Sequence, residues 1–504
     1  MQGFRLLRAA GTFENASRAK DAGHQANAPS FMDVEFAPVA LSDTNAWVSV
    51  VIGRNGVGKS RLLAGVADVL ERLDSGRRFG RFDSPGVSMI EYLLDGVHCR
   101  VELNARREIK ATLDGVQCSA ESLPLPGKII ALTTTPFDKF RLSRSLRSRP
   151  DDPAYWEEQR YSYLGLRDRT GRASPTAAMF RALEGLFGAS KGSDRKRMRI
   201  AEVFELLGYQ PQIEVRYRAV PGATTRFKRL IEGDDFGDLF ETRSTIRSSR
   251  PFERLHEDRD EFEAVREIAQ EFADRMDQQR QVVLRADFQG VSDDEFFNRI
   301  QRLRRVELVH LSSVEVRRIS DGAILDLRLA SSGELGIATG FLGLASTISD
   351  NSLVFIDEPE ISLHPEWQKQ YIDLLTKTFE NFTGCHFVLA THSPLILSDI
   401  DPKASNVVSL DPERRRAESA ADYAGKSYDY LLATAFEEPG NNNLYLKEEI
   451  IKALRLAADG EIGTLAFANA MEVLNENLPR LQASSPVAQL ILELQNAAEA
   501  EVES

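Results

Sequence analysis

The sequence predicts an α/β protein, with a head on a mixed central sheet, a large mainly helical insertion lobe and a helical C-terminal segment. Three observations carry that prediction. The run WVSVVIG (47–53) has the length and composition of a buried strand, and a glycine-rich turn joins it to a segment of helical spacing. A second apolar run, LVFI (353–356), stops abruptly at Asp357 and Glu358, with Glu360 one proline later. Between about residues 141 and 304 the composition shifts to Arg, Glu and Asp, with helical stretches such as DEFEAVREIAQEFADRMDQQ.

Composition bounds the class. A chain of 504 residues is too long for one ordinary core, so two lobes or a core with an insertion are expected. Apolar content of 42% beside charged content of 28% describes a water-soluble protein. No apolar run approaches the ~20 residues of a membrane helix, and the start, MQGFRLLRAAGTF, lacks the apolar centre of a secretory signal. Cys99, Cys118 and Cys385 show no paired spacing, which fits a reducing compartment; a cytoplasmic protein with no membrane partner is expected. The net charge of −13 argues against a chain coated in nucleic acid.

In chain order, 15–30 is small and polar and reads as a loop or frayed arm, and MDVEFAPV (32–39) reads as a strand. SRLLAGVADVLERL places Leu62, Leu63, Val66, Val69 and Leu70 on one helix face, and KIIALTT (128–134) is another buried strand. RVELVHLSSVEVRRI and AILDLRL form a hairpin around Ser320, Asp321 and Gly322. Two or three helices follow Asn443. The expected parts are 1–140 (first half of the head), 141–304 (insertion), 305–410 (second half) and 411–504 (C-terminal segment).

The turn GRNGVGKSR, residues 53–61, fits the Walker A pattern GxxxxGKS between strand and helix. Gly53, Gly56 and Gly58 let the backbone wrap a phosphate, and the amides of Arg54, Asn55, Val57 and Arg61 lie in the same wrap. Lys59 is placed to reach the β- and γ-phosphates of ATP, and the Ser60 hydroxyl to bind Mg²⁺. In such proteins a second strand ends beside the loop and brings an Asp near the metal. Asp357 fits that position, and Glu358 is placed to orient and deprotonate an attacking water. An Asp-Glu pair alone would be a solvated strand end. Its occurrence with the phosphate loop gives it meaning.

Two further stretches carry a resemblance. LASSGELG, with Ser331, Ser332, Gly333 and Glu334 opening a helix over about 335–347, resembles the LSGGQ signature of ABC-type ATPases. It differs by Ser for the first Gly and Glu for Gln, and a good helix N-cap is its plain alternative. FVLATHSP ends in His392, which resembles the switch histidine of that class, and ISLHP (361–365) stands where its D-loop crosses to a partner subunit. The resemblance covers about 30–140 and 305–410, at four motifs in order. It implies an ATP site completed by a second copy, hence a homodimer or higher oligomer. In it Lys59, Glu358 and His392 are catalytic, Ser60 and Asp357 hold Mg²⁺, and Ser331–Glu334 face the nucleotide of the other copy.

One piece departs. The family's Gln near the end of an intervening strand is missing from ALTTTPFDKF (131–140); Thr135, Asp138 or Lys139 substitutes, or the stretch is surface loop. Rad50 and SMC proteins place a long coiled coil between the motif clusters, and no such heptads occur here. OLD nucleases add a Toprim domain with metal-binding acids, for which the tail after Asp401 offers no DxD on a strand. What remains resembles the stand-alone ATPase subunits of Septu (the PtuA family) and retron-associated anti-phage systems. That implies a separate nuclease partner, HNH type before Toprim type. A RecF-like DNA-binding repair ATPase is the alternative. The arginine run RLSRSLRSR (141–149) is either a solvated face or a nucleic-acid contact. The C-terminal helices either cap their own core or dock a partner.

Overall fold

The computed structural model describes residues 3–13, 30–37, 46–76, 86–104, 108–143, 159–168, 170–232, 252, 255, 258–411, 417–440, 442–482 and 485–502. The expected arm at 15–30 lies outside them apart from Ser30, as do Arg144, Arg147 and Arg149 of the arginine run. The chain divides into two compact units, Met1–Arg172 with Ile348–Ser504, and Ala173–Thr347.

In the first unit, β1 (Phe4–Phe13) pairs antiparallel with β2 (Ser30–Glu35), and β3 (Ala46–Ile52) leads through the glycine-rich turn into the helix Lys59–Ser75. That helix buries Leu62, Leu63, Val66, Val69 and Leu70, the face its spacing indicated. β4 (Val87–Leu94), β5 (Val97–Leu103), β6 (Ile109–Leu113) and β7 (Val116–Cys118) follow as a meander. Two of its turns are Asp-Gly pairs, 95–96 and 114–115, with positive φ at both residues, as tight hairpins require. β8 (Ile129–Thr133) and β9 (Tyr161–Leu164) close this half.

The second unit is mainly helical, and it also holds a sheet. β10 (Tyr209–Ala219), β11 (Gln281–Asp287), β12 (Val309–Arg318) and β13 (Ile324–Asp326) form an antiparallel sheet in the order β11-β10-β12-β13. β10 alternates strictly, Ile213, Val215 and Tyr217 buried while Glu214 and Arg216 face outward; a charged composition therefore hides a strand. Arg216 pairs with Glu315 across the β10–β12 ladder at 2.8 Å. The boundaries also differ from 141–304: the unit starts at Ala173 and keeps both the β12–β13 hairpin and the helix Ser332–Thr347. That helix packs on the helix Pro175–Ala189 at Gly185, where a Cβ would come 2.2 Å from Ser346 Oγ. The short side chain is what permits the contact.

The first unit resumes with β14 (Leu353–Asp357), the helix Pro365–Thr378, β15 (Cys385–Ala390), β16 (Ser405–Ser409) and β17 (Ala417–Ser419). Its seven-stranded sheet runs β17-β16-β3-β15-β14-β8-β9, parallel except for β17. A six-stranded antiparallel sheet, β2-β1-β4-β5-β6-β7, belongs to the same unit and shares its apolar core. Both β14 and β15 are buried along their whole length, as parallel strands covered on both faces are. Register sets Asp357 beside Ala390 on one flank and Thr133 on the other, so the strand tips end together. In open parallel sheets that edge is where ligands bind.

Among the C-terminal helices, Leu444–Ala458, Leu465–Asn477 and Pro486–Val502 bury Leu446, Ile450, Phe467, Leu474 and Ile491 in a core of their own. Ile451 and Leu454 remain 48% and 42% exposed, so self-packing uses only part of the apolar face. No described helix is long and apolar enough to cross a membrane.

Candidate functional site

The turn after β3 is shaped by glycine. Gly53, Gly56 and Gly58 have φ of 147°, 81° and 110°. At Gly58, the N-cap of the helix Lys59–Ser75, a Cβ would also stand 2.9 Å from Met32 Cε. Backbone amides and a helix N-terminus therefore meet here, the elements of an anion cradle. Val57 packs against the apolar core, while Arg54 and Asn55 are exposed.

Lys59 is buried at 5% exposure and donates from Nζ to the Gly53 carbonyl at 2.6 Å and to His392 Nδ1 at 3.0 Å. Burial lowers its pKa to about 8, while Glu360, Glu358 and Asp357 pull it upward. Ser60 Oγ donates to Asp357 Oδ1 at 3.0 Å. Asp357 is fully buried, and its Oδ2 has no hydrogen-bond partner. Burial raises its pKa to about 7, and Glu358, Asp138 and Glu360 push the same way against the Ser60 bond. A buried carboxylate oxygen left over beside a serine hydroxyl is a hard donor set suited to Mg²⁺, whose charge would draw that pKa back down. The residues fit the metal.

Glu358 stands in the left-handed region, φ 51°, a strained place for a non-glycine residue. Two bonds hold it: its amide donates to the Ala390 carbonyl at 2.9 Å, and its carbonyl accepts from Thr134 Oγ1 at 2.7 Å. Its Oε1 lies 3.6 Å from His392 Nε2. Burial, then Lys59, lowers the His392 pKa to about 4, so the ring is neutral near pH 7. With Nδ1 accepting from Lys59, the ring proton sits on Nε2 and points at Glu358.

Lys59, Ser60, Asp357, Glu358 and His392 thus meet at the tips of β3, β14 and β15. The signature residues lie in the second unit. There Ser331 and Glu334 form a reciprocal capping box: Ser331 N donates to Glu334 Oε2 at 3.0 Å, and Glu334 N to Ser331 Oγ at 3.3 Å. A capping box takes either Glu or Gln at this position. Ser332 and Gly333 form the first turn behind the cap.

At the missing-Gln stretch, Asp138 is committed elsewhere, accepting from Arg167 Nη2 at 2.7 Å and Tyr163 Oη at 2.8 Å. Thr135 Oγ1 accepts from the Phe137 amide at 3.2 Å, and Lys139 is exposed. The residue of this stretch that bonds the backbone of Glu358 is Thr134, which no sequence pattern marks. Glu360 belongs with it, since its Oε1 accepts from the His392 amide at 2.6 Å. No spacing rule pointed to either. Arg54 of the glycine-rich turn bonds Glu437 Oε2 at 3.0 Å, and Arg480 reaches the same oxygen at 2.6 Å, a link from C-terminal residues that sequence alone did not reveal.

A family model described as AAA domain, putative AbiEii toxin, Type IV TA system matches residues 172–398. The probable ATPase of retron Vc95 from Vibrio cholerae serotype O1 biovar El Tor is 29% identical over 113 residues, 22% of this chain and 21% of that protein. The probable ATPase of retron Ec83 from Escherichia coli is 41% identical over 90 residues, 18% of this chain and 16% of that one. Protein ea59 of Escherichia phage lambda is 29% identical over 147 residues, 26% of each chain. The chain thus spans only 16–26% of the length of these curated relatives. Among solved structures, the SMC head domain from Thermotoga maritima aligns over 82% of this chain and 97% of its own, at 11% identity and a TM-score of 0.29. The recombination mediator RecF aligns over 83% and 98%, also at 11% and 0.29.

Proposed function

We propose that this chain, an ABC-type ATPase with a P-loop head, hydrolyses ATP with Mg²⁺ between two copies and thereby regulates a separate nuclease in anti-phage defence. The observation that carries the ATPase reading is the meeting of Lys59, Ser60, Asp357, Glu358 and His392 at one sheet edge. Lys59 neutralises the β- and γ-phosphates from inside the glycine wrap. Ser60 and Asp357 hold Mg²⁺, which when bound offsets charge on the phosphate oxygens. Glu358 orients a water and accepts its proton, while neutral His392 donates its Nε2 proton towards the γ-phosphate. Ser332 and Gly333 of a second copy present a helix N-terminus to the same γ-phosphate, so that ATP, unlike ADP, bridges the pair.

The defence role is supported by local likeness to retron ATPases. Septu-type or retron-type pairing with an HNH nuclease, or a Toprim nuclease second, belongs to this reading. The RecF-like alternative shares the ATP site. Its segment of interest begins at Arg141, which pairs with the buried Asp68 at 2.6 Å and is therefore already engaged. The test is purification of the tagged chain from its own cell in low and high salt. A nuclease at fixed ratio supports regulation; arrival alone, or with DNA that salt strips off, overturns it.

A further inference from the structure

Glu360 lies one proline beyond Glu358, in the turn between β14 and the helix Pro365–Thr378. Its Oε1 accepts from the backbone amide of His392 at 2.6 Å, and its Oε2 is buried without a hydrogen-bond partner. A second side chain joins the same two segments. Gln368 Nε2 donates to the Leu363 carbonyl at 3.0 Å and to the Glu360 carbonyl at 3.5 Å, while Gln368 Oε1 accepts from Ser393 Oγ at 2.6 Å. The turn 360–364 and the turn carrying His392 are therefore laced together from both sides.

The choice of residue is informative. A single amide could be satisfied by serine or threonine, and at the helix that follows Ser393 does this by donating no charge to the interior: its hydroxyl accepts from the Leu395 amide. Glu360 instead buries a carboxylate, whose pKa burial raises. Buried charge that local packing does not demand tends to be kept for function. What Glu360 reaches is the backbone of the residue whose imidazole stands between Lys59 Nζ, at 3.0 Å, and Glu358 Oε1, at 3.6 Å.

We infer that Glu360 is a positioning residue for hydrolysis: by anchoring the His392 amide it fixes the imidazole between Lys59 and Glu358, and it ties that imidazole to the turn 361–364. The inference rests on the ATPase reading. Displacement of that turn, for instance by a second copy seated against it, moves His392 with it. Geometry is the mechanism, so the effect belongs in the chemical step rather than in ATP capture.

The test compares steady-state ATP hydrolysis by the full chain and its variants. Glu360→Ala is expected to lower kcat about tenfold or more while KM for ATP changes less than about threefold. Glu360→Gln keeps an oxygen that accepts from the His392 amide, so it should lose only about two- to threefold. Should the Ala variant not fold, Glu360→Met fills the volume without an acceptor and takes its place. Wild-type kcat in the Ala or Met variant would overturn the inference, as would an equal loss in Gln and Ala. Lys59→Ala, measured alongside, separates the two levels: undiminished hydrolysis there would overturn the ATPase reading itself.

Discussion

Two histidines near opposite ends of β15 have opposite surroundings. His386, one residue into the strand, is completely buried: Nδ1 accepts from the Leu6 amide at 3.0 Å and Nε2 meets Ser49 Oγ at 2.9 Å. Ser49 and Trp47 both bond Asn406, so this cluster ties β1, β3, β15 and β16 together. His392, two residues past the other end, is half-buried, accepts from Lys59 and presents its remaining proton to Glu358. Both rings are kept neutral by burial. The difference lies in what is left over. His386 has both nitrogens occupied by the fold, whereas His392 keeps one directed at an acid. One holds strands together and the other can act on a ligand.

The largest effects should fall on hydrolysis. Lys59→Ala and Glu358→Gln are each expected to reduce kcat/KM by about a hundredfold or more, with Glu358→Gln retaining ATP binding. A phosphate-release assay beside an ATP titration checks both.

The histidine pair should then split cleanly. His386→Ala leaves the Leu6 amide and Ser49 without their partner and opens a cavity, so unfolding free energy should fall by about 2–4 kcal/mol in a denaturant titration. His392→Ala should cost about tenfold in kcat with the denaturation midpoint nearly unchanged. A large stability loss at His392, or a turnover defect without one at His386, would break the comparison.

A smaller effect has an unusual sign. Asp357 has its folded pKa raised to about 7, above the ordinary value of 3.8. Its contribution is therefore fully present below about pH 4 and is lost as pH rises towards 7. Without nucleotide, Asp357→Asn should stabilise the protein at pH 8 by roughly 1–3 kcal/mol, shrinking towards zero at pH 4, while abolishing Mg²⁺-dependent hydrolysis. His386 runs the other way. Its folded pKa is depressed below the ordinary 6.5, so its stabilisation is lost as pH falls below that value. The deficit of His386→Gln relative to the parent should shrink by up to about 1.4 kcal/mol per pH unit there.

The same contrast separates what the sequence could reveal from what it could not. Lys59, Ser60, Asp357, Glu358 and His392 were legible because each is tied to a strand end or helix start, where local pattern dictates placement. Asp138 was ambiguous because its partners, Tyr163 and Arg167, come from a later strand and its exit. Glu360 and Thr134 were silent because both act on backbone atoms distant in sequence. The β10 ladder was hidden by composition, its outward Arg and Glu masking a period of two. The Asp-Gly turns at 95–96 and 114–115 did carry a hairpin signal, and the six-stranded sheet they help build could have been anticipated from it.

The most direct test of an ATP site shared between two copies is the solution mass of Glu358→Gln, measured by light scattering with Mg²⁺ and either ATP or ADP. With hydrolysis blocked, ATP should double the mass of the ADP form, and Ser332→Arg in the same background should abolish the doubling. A mass that is the same with ATP and ADP, in protein shown to bind ATP, would contradict it.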